Sequence, residues 1–264
     1  MELGLKDRTV LVTGASEGIG RAVALRFAHE GANLVICARR EGPLRALASE
    51  IEATGRAVVA VSCDVTDPTA PEAVLDALRD RLRGVDILIN NAGRATPRKF
   101  LKTTDADWSE GIELNFMSAV RFTRACLPWM VESSWGRIIN VSSTTAKLAD
   151  PYYAIYGATK AAMINFSKTI AVAFAADGIR CNCVLPGITL TPLIDENVRS
   201  AAAKTGSTAE EVMERMMERW PIPVGRLGKP EEVADAIAFL ASANNNWLTG
   251  VAMPVDGGTI RSLI

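Results

Sequence analysis

The stretch Thr13-Gly14-Ala15-Ser16-Glu17-Gly18-Ile19-Gly20 closes a β-branched run, Thr9–Thr13, and leads directly into an amphipathic stretch at residues 19–29. A strand that turns through glycines into a helix brings unpaired N–H groups and the positive helix end to one point. That geometry suits a pyrophosphate. The spacing Gly-x-x-x-Gly-x-Gly differs from the commoner Gly-x-Gly-x-x-Gly, so alone it is also compatible with a plain tight turn.

Working outward, the same alternation of short apolar run and longer amphipathic stretch fills nearly the whole chain. Strand-like runs fall at residues 9–13, 33–37, 57–62, 86–90, 137–142, 180–184 and 251–255, and several are apolar throughout. Continuous apolar runs are what strands need when both faces are covered, as in a parallel sheet. Helical patterns lie between them at residues 19–29, 43–54, 71–82, 105–130, 153–175 and 230–240. The expectation is one α/β domain over residues 1–264, a Rossmann-type doubly wound parallel seven-stranded sheet with helices on both faces. Residues 191–223 break the rhythm and read as a substrate lid or as a packed surface helix.

Composition narrows the function. The 264 residues carry 29 Lys and Arg against 30 Asp and Glu, a formal charge of −1, with no basic stripe to suit nucleic acid or an anionic membrane. Arg79, Arg81 and Arg83 are interrupted by Asp80 and Leu82 and read as a solvated helix end. The first eight residues hold no apolar signal core, and no uncharged run is long enough for a bilayer. Cys37, Cys63, Cys126, Cys181 and Cys183 form no Cys-x-x-Cys pair, and His29 is the only histidine. Reduced cysteines in a cytoplasmic protein, with no metal site, are the expectation.

Four further places carry chemistry. The second strand ends in Cys37-Ala38-Arg39-Arg40, with no carboxylate before Glu41 to take a ribose 2′-hydroxyl. A guanidinium there offers paired donors to a 2′-phosphate. Glu17, near the same end, would repel that phosphate unless it turns to solvent. Asn90-Asn91-Ala92-Gly93 closes the fourth strand, where side chains line the crevice of an open sheet or make an Asx turn. In Tyr156-Gly157-Ala158-Thr159-Lys160 the phenol and ammonium lie four apart on one helical face. A cation beside a tyrosine lowers its pKa, making Tyr156 a general acid–base candidate. Ser142 and Ser143, ahead of it in sequence, both offer a hydroxyl to hold a carbonyl oxygen.

Taken in order, these motifs resemble the short-chain dehydrogenase/reductase family from Lys6 to Gly258, in a layout like that of 3-oxoacyl thioester reductases. The resemblance implies that Tyr156 donates the proton and that Ser143, rather than Ser142, polarises the carbonyl. It implies that Lys160 lowers the phenol's pKa and bonds the nicotinamide ribose, and that Asn115 holds a water in the proton relay. It assigns the cofactor to Gly14, Ser16, Gly18, Ile19, Gly20, Arg39, Asp64, Val65, Asn91, Ala92, Gly93, Tyr156, Lys160, Pro186, Gly187, Ile188 and Thr191. Arg39 favours NADP(H) over NAD(H). The implied protein is an NADP-dependent reductase of ketones or 3-oxo groups, working as a homotetramer or homodimer on a largely apolar small molecule. An NAD-dependent alcohol dehydrogenase is the alternative within the family. A relative without turnover would show damage at Tyr156 or Lys160, and neither is damaged. Within the long segment, Thr208 and Glu211 form a capping-box signature. Met213, Met216, Met217 and Trp220 then share one face of the helix that follows.

Overall fold

The computed structural model describes residues 2–79 and 81–262. Its strands are β1 (Thr9–Thr13), β2 (Asn33–Ala38), β3 (Val58–Ser62), β4 (Ile87–Asn90), β5 (Gly136–Val141), β6 (Ile179–Pro186) and β7 (Ala252–Val255). All pair in parallel, in the order β3-β2-β1-β4-β5-β6-β7. The chain therefore starts at the centre, builds outward to β3, and returns to lay β4 against the other side of β1. That reversal opens a crevice beyond the carboxyl ends of β1 and β4, where ligands bind in such sheets.

The apolar runs explain why the sheet is covered twice. In β1, Val10 and Val12 join a cluster with α1 (Gly18–His29) and α9 (Pro230–Ala241), while Leu11 joins the opposite cluster with α3 (Ala70–Leu78) and α5 (Ser118–Glu132). The alternation repeats in β2, with Leu34 and Ile36 on one face and Val35 and Cys37 on the other. Helix α2 (Glu41–Ala53) adds Leu44, Leu47 and Ile51 to the first layer, and α6 (Ala154–Ala173) packs on β6 beside the second. Cys37, Cys126, Cys181 and Cys183 are buried and Cys63 is half-buried, all as free thiols.

Three expected elements differ. The helix expected over 105–130 is broken: α4 (Asp105–Ile112) passes through a π turn, Glu113–Met117, into α5. The helix expected over 71–82 stops at Leu78, leaving Arg79, Arg81 and Arg83 exposed; Asp80 lies outside the described residues. Residues 191–223 hold two helices, α7 (Pro192–Thr205) and α8 (Ala209–Arg219), where periodicity picked out only the second. Helix α7 alternates small and polar residues and buries only Val198, so it shows no apolar stripe to read. Among the described residues no helix is long and apolar enough to cross a membrane.

Candidate active site

The turn after β1 is built so tightly that only glycine fits. A Cβ on Gly20 would stand 2.3 Å from the Gly14 carbonyl oxygen and 2.5 Å from Asn91 Nδ2. Asn91 Nδ2 donates to the Thr13 and Gly14 carbonyls at 2.9 and 3.1 Å, and Thr13 Oγ1 accepts from Asn91 N and Ala92 N, both at 3.1 Å. Asn91 thus acts here by welding the turn to the end of β4. Asn90 points into the core, where its amide bonds Thr123 and Asn140. Glu17 precedes α1 in extended backbone without a side-chain cap, so the first-turn N–H groups remain for another acceptor. A Cβ on Gly18 would lie 3.1 Å from the Thr191 methyl, which places the start of residues 191–223 over this turn beside the half-buried Ser16 and Ile19. The cradle fits a pyrophosphate.

At the neighbouring strand ends, Arg39 and Arg40 are exposed. Arg40 is ion-paired with Glu17, and Arg39 stands 3.9 Å from Asp64. The carboxylate that counted against a phosphate is therefore neutralised by its own arginine. Asp64 is held below the usual carboxylate range by the Thr66 N–H, with further help from the Thr66 hydroxyl and Arg39. Val65 beside it is buried.

The reacting groups meet at the ends of β4, β5 and α6. Ser143 lies beside Tyr156, near enough for its hydroxyl to lower the phenol's pKa, and its Oγ accepts from Thr145 N at 3.2 Å. Ser142 turns away and donates to the Lys160 backbone carbonyl at 2.8 Å, which separates the two serines that sequence spacing left open. Lys160 is buried, donates to the Val141 carbonyl at 2.7 Å, and lies 5.6 Å from the Tyr156 ring centroid. Asn115 sits in the π turn, 3% exposed, with Oδ1 accepting from Arg94 N at 2.8 Å and Nδ2 donating to the Gly111 carbonyl at 3.1 Å. A Cβ on Gly93 would come 2.9 Å from Asn115 Oδ1 and 3.3 Å from Lys160 Nζ, so these three residues converge. Pro186 ends β6, and Gly187 N donates to the Val255 carbonyl at 3.0 Å, which carries the chain through Ile188 to Thr191.

One electrostatic expectation is reversed. Burial pushes the Tyr156 phenol up to about 12, with the nearby Ser143 hydroxyl opposing it. Burial likewise pulls Lys160 down to about 8. The ammonium is drawn to a backbone carbonyl rather than to the phenol oxygen, so desolvation outweighs its field on Tyr156.

The sequence reading missed Arg40 as the partner of Glu17, although opposite charges in the loops after β1 and β2, both assigned to one ligand site, were the available signal. It also missed Asp150, whose side-chain partners Arg219 and Trp220 are 69 and 70 positions away in sequence.

Comparison with known proteins finds relatives along nearly the whole chain. Residues 14–259 match the family described as Enoyl-(Acyl carrier protein) reductase. The chain is 36% identical to the oxidoreductase UcpA of Escherichia coli K12 over 256 residues, covering 97% of this chain and 95% of UcpA. It is 35% identical to the 3-oxoacyl-[acyl-carrier-protein] reductase FabG of the same bacterium, covering 97% and 98% of the two chains. The crystal structure of L-sorbose reductase from Gluconobacter frateurii with NADPH and L-sorbose superposes with a TM-score of 0.96. It shares 35% identity and covers all of both chains.

Proposed function

The chain belongs to the short-chain dehydrogenase/reductase family, and on that premise we propose that it reduces a ketone or 3-oxo group to a secondary alcohol with NADPH. The observation that carries the reading is the gathering of Ser143, Tyr156 and buried Lys160, with Lys160 and Asn115 meeting at Gly93 beside the glycine cradle. Residues Gly14 to Gly20 would hold the pyrophosphate, and Arg39 the 2′-phosphate. Asp64 and Val65 would flank the adenine, and Ile188 and Thr191 the carboxamide. When bound, NADPH supplies a hydride to the carbonyl carbon.

The protein's own residues do the rest. Ser143 orients the carbonyl oxygen against the phenol. Tyr156, kept protonated across the neutral range, gives its proton to the oxygen as negative charge develops. Lys160 carries the compensating charge beneath the ring, and Asn115 anchors the route by which the proton is replaced.

Residues 191–223 serve as a lid over a largely apolar ketone. In α8 the side chains of Val212, Met213, Met216, Met217 and Trp220 are half-buried while Glu210, Glu211, Glu214 and Glu218 are exposed. Methionines fit adaptable surfaces of this kind. A polyhydroxy ketone is the second reading, favoured by the L-sorbose bound in the similar reductase. The open groove of about 700 Å³ between α5 and α6, with Val120, Leu127, Phe166 and Phe174 along it, supports assembly in pairs. The test is a panel of apolar ketones, 3-oxo esters and ketoses, followed by NADPH consumption and repeated with NADH. Turnover of one class with NADPH is expected; turnover of none would remove the reading.

A further inference from the structure

Asp150 lies in the loop between β5 and α6, six positions before Tyr156, and its side chain is only 7% exposed. Its carboxylate accepts from three donors: Tyr152 N at 2.8 Å, Trp220 Nε1 at 3.1 Å, and Arg219 Nη2 at 3.0 and 3.2 Å from the two oxygens. The guanidinium of Arg219 also lies over the Tyr152 ring at 4.9 Å and the Trp220 ring at 4.4 Å. Two backbone bonds hold the loop itself, Tyr153 N to the Asp150 carbonyl at 3.1 Å and Arg98 N to the Tyr152 carbonyl at 2.8 Å. Tyr153 then meets Tyr156 edge-on, with ring centroids 6.5 Å apart.

The other end of this chain of contacts is weakly held. No residue of α8 is buried, and its main packing partner is α7. Arg219 and Trp220 are the points where the returning limb of the lid grips the body of the protein beside the catalytic tyrosine. A nearly buried carboxylate shared by a guanidinium, an indole and a backbone N–H is costly to disturb from either side, because the remaining partner keeps an uncompensated charge.

We propose that Asp150 is a positioning and specificity-determining residue that fastens the end of α8 to the loop opening α6, and that it thereby selects uncharged ketones. The proposal rests on the reading of Tyr156 and of the lid given above. Pairing consumes the Arg219 charge, and Arg98 on the adjoining loop is likewise paired, with Asp107 at 3.0 Å. Against Asp150 itself the rim thus consists of the Tyr152 and Trp220 rings and a paired guanidinium, which offer no free counter-charge there to an anionic substrate. The same clasp holds the loop that opens α6, so the entrance beside Tyr153 is set by one carboxylate, while backbone bonds of the loop keep Tyr153 against Tyr156.

The experiment compares a neutral 3-oxo ester with the matching 3-oxo carboxylate, at saturating NADPH, in the unmodified protein and in Asp150→Asn, Arg219→Met and Trp220→Phe. The unmodified protein should favour the ester. Asp150→Asn leaves Arg219 unpaired and should shift the kcat/KM ratio toward the carboxylate by about 10-fold, the scale of one restored ion pair at a half-exposed site. Arg219→Met and Trp220→Phe should raise KM for the ester several-fold while kcat and NADPH affinity hold. The double variant Asp150→Asn with Arg219→Met should regain the preference for ester. A ratio unmoved by Asp150→Asn, or moved equally when Arg219 is also absent, would overturn the specificity role.

Amide hydrogen exchange tests the clasp without any substrate. Arg219→Met should speed exchange across residues 148–156 as well as 209–220. A change confined to 209–220 would show that α8 is not coupled to the tyrosine loop. If the unmodified protein reduced no ketone, the proposed reaction would fail, and the exchange result would still decide the clasp.

Discussion

At the scale of single residues, the end of the crevice proposed for the adenosine carries two separate ion pairs, Arg40 with Glu17 and Arg39 with Asp64. Only Arg39 has a long, loose partner, so it is the arginine free to swing to a 2′-phosphate. Arg39→Ala should weaken NADPH binding by about 10- to 100-fold, the value of one or two charge-assisted bonds, and leave NADH binding nearly unchanged. Adding Ala38→Asp should reverse the preference; titration by cofactor fluorescence checks both. A second prediction follows from the two opposed pKa shifts. Lys160 titrates at about 8 and Tyr156 at about 12, so as pH rises through 8 the cation is lost while the phenol keeps its proton. The rate of ketone reduction should therefore fall through about pH 8, and Lys160→Met should abolish that limb of the kcat/KM profile. A profile flat to pH 10 would show that the ammonium plays no part.

At the scale of elements, α8 is a helix with a capped start and no buried residue. Its half-buried methionines cover surface without belonging to a core, so replacing them should cost little stability. Met216→Gln with Met217→Gln should raise KM for bulky ketones about 5- to 10-fold while the melting temperature moves by only a few degrees. A large drop in melting temperature with KM unchanged would make them structural. The start of this helix was legible in sequence because Thr208 and Glu211 form both bonds of the capping box. The π turn at Glu113–Met117 was not, because a shift of one bonding register carries no residue signature. It nonetheless places Asn115 beside Gly93 and Lys160, and π turns recur at functional sites for that reason.

At the scale of the whole molecule, the parallel sheet was readable because Val10, Leu11 and Val12 are all apolar while serving two different layers. The grouping of most candidate site residues was readable too, since strand ends and one helix deliver Gly14, Asn91, Ser143 and Tyr156 to the same edge of the sheet. Burial was not, and it sets the Tyr156 and Lys160 ionisations against the simple pairing argument. The surface along α5 and α6 leads to an assembly prediction: light scattering at micromolar concentration should give a dimer or tetramer, and Val120→Glu with Phe166→Glu should give a monomer. The central claim is that Tyr156 protonates a ketone reduced by NADPH, and Tyr156→Phe tests it most directly. The expected result is a kcat lower by about 10²- to 10⁴-fold, the ordinary worth of a general acid, with NADPH affinity unchanged. Retention of most of the activity, or loss of NADPH binding in proportion to the loss of rate, would contradict it.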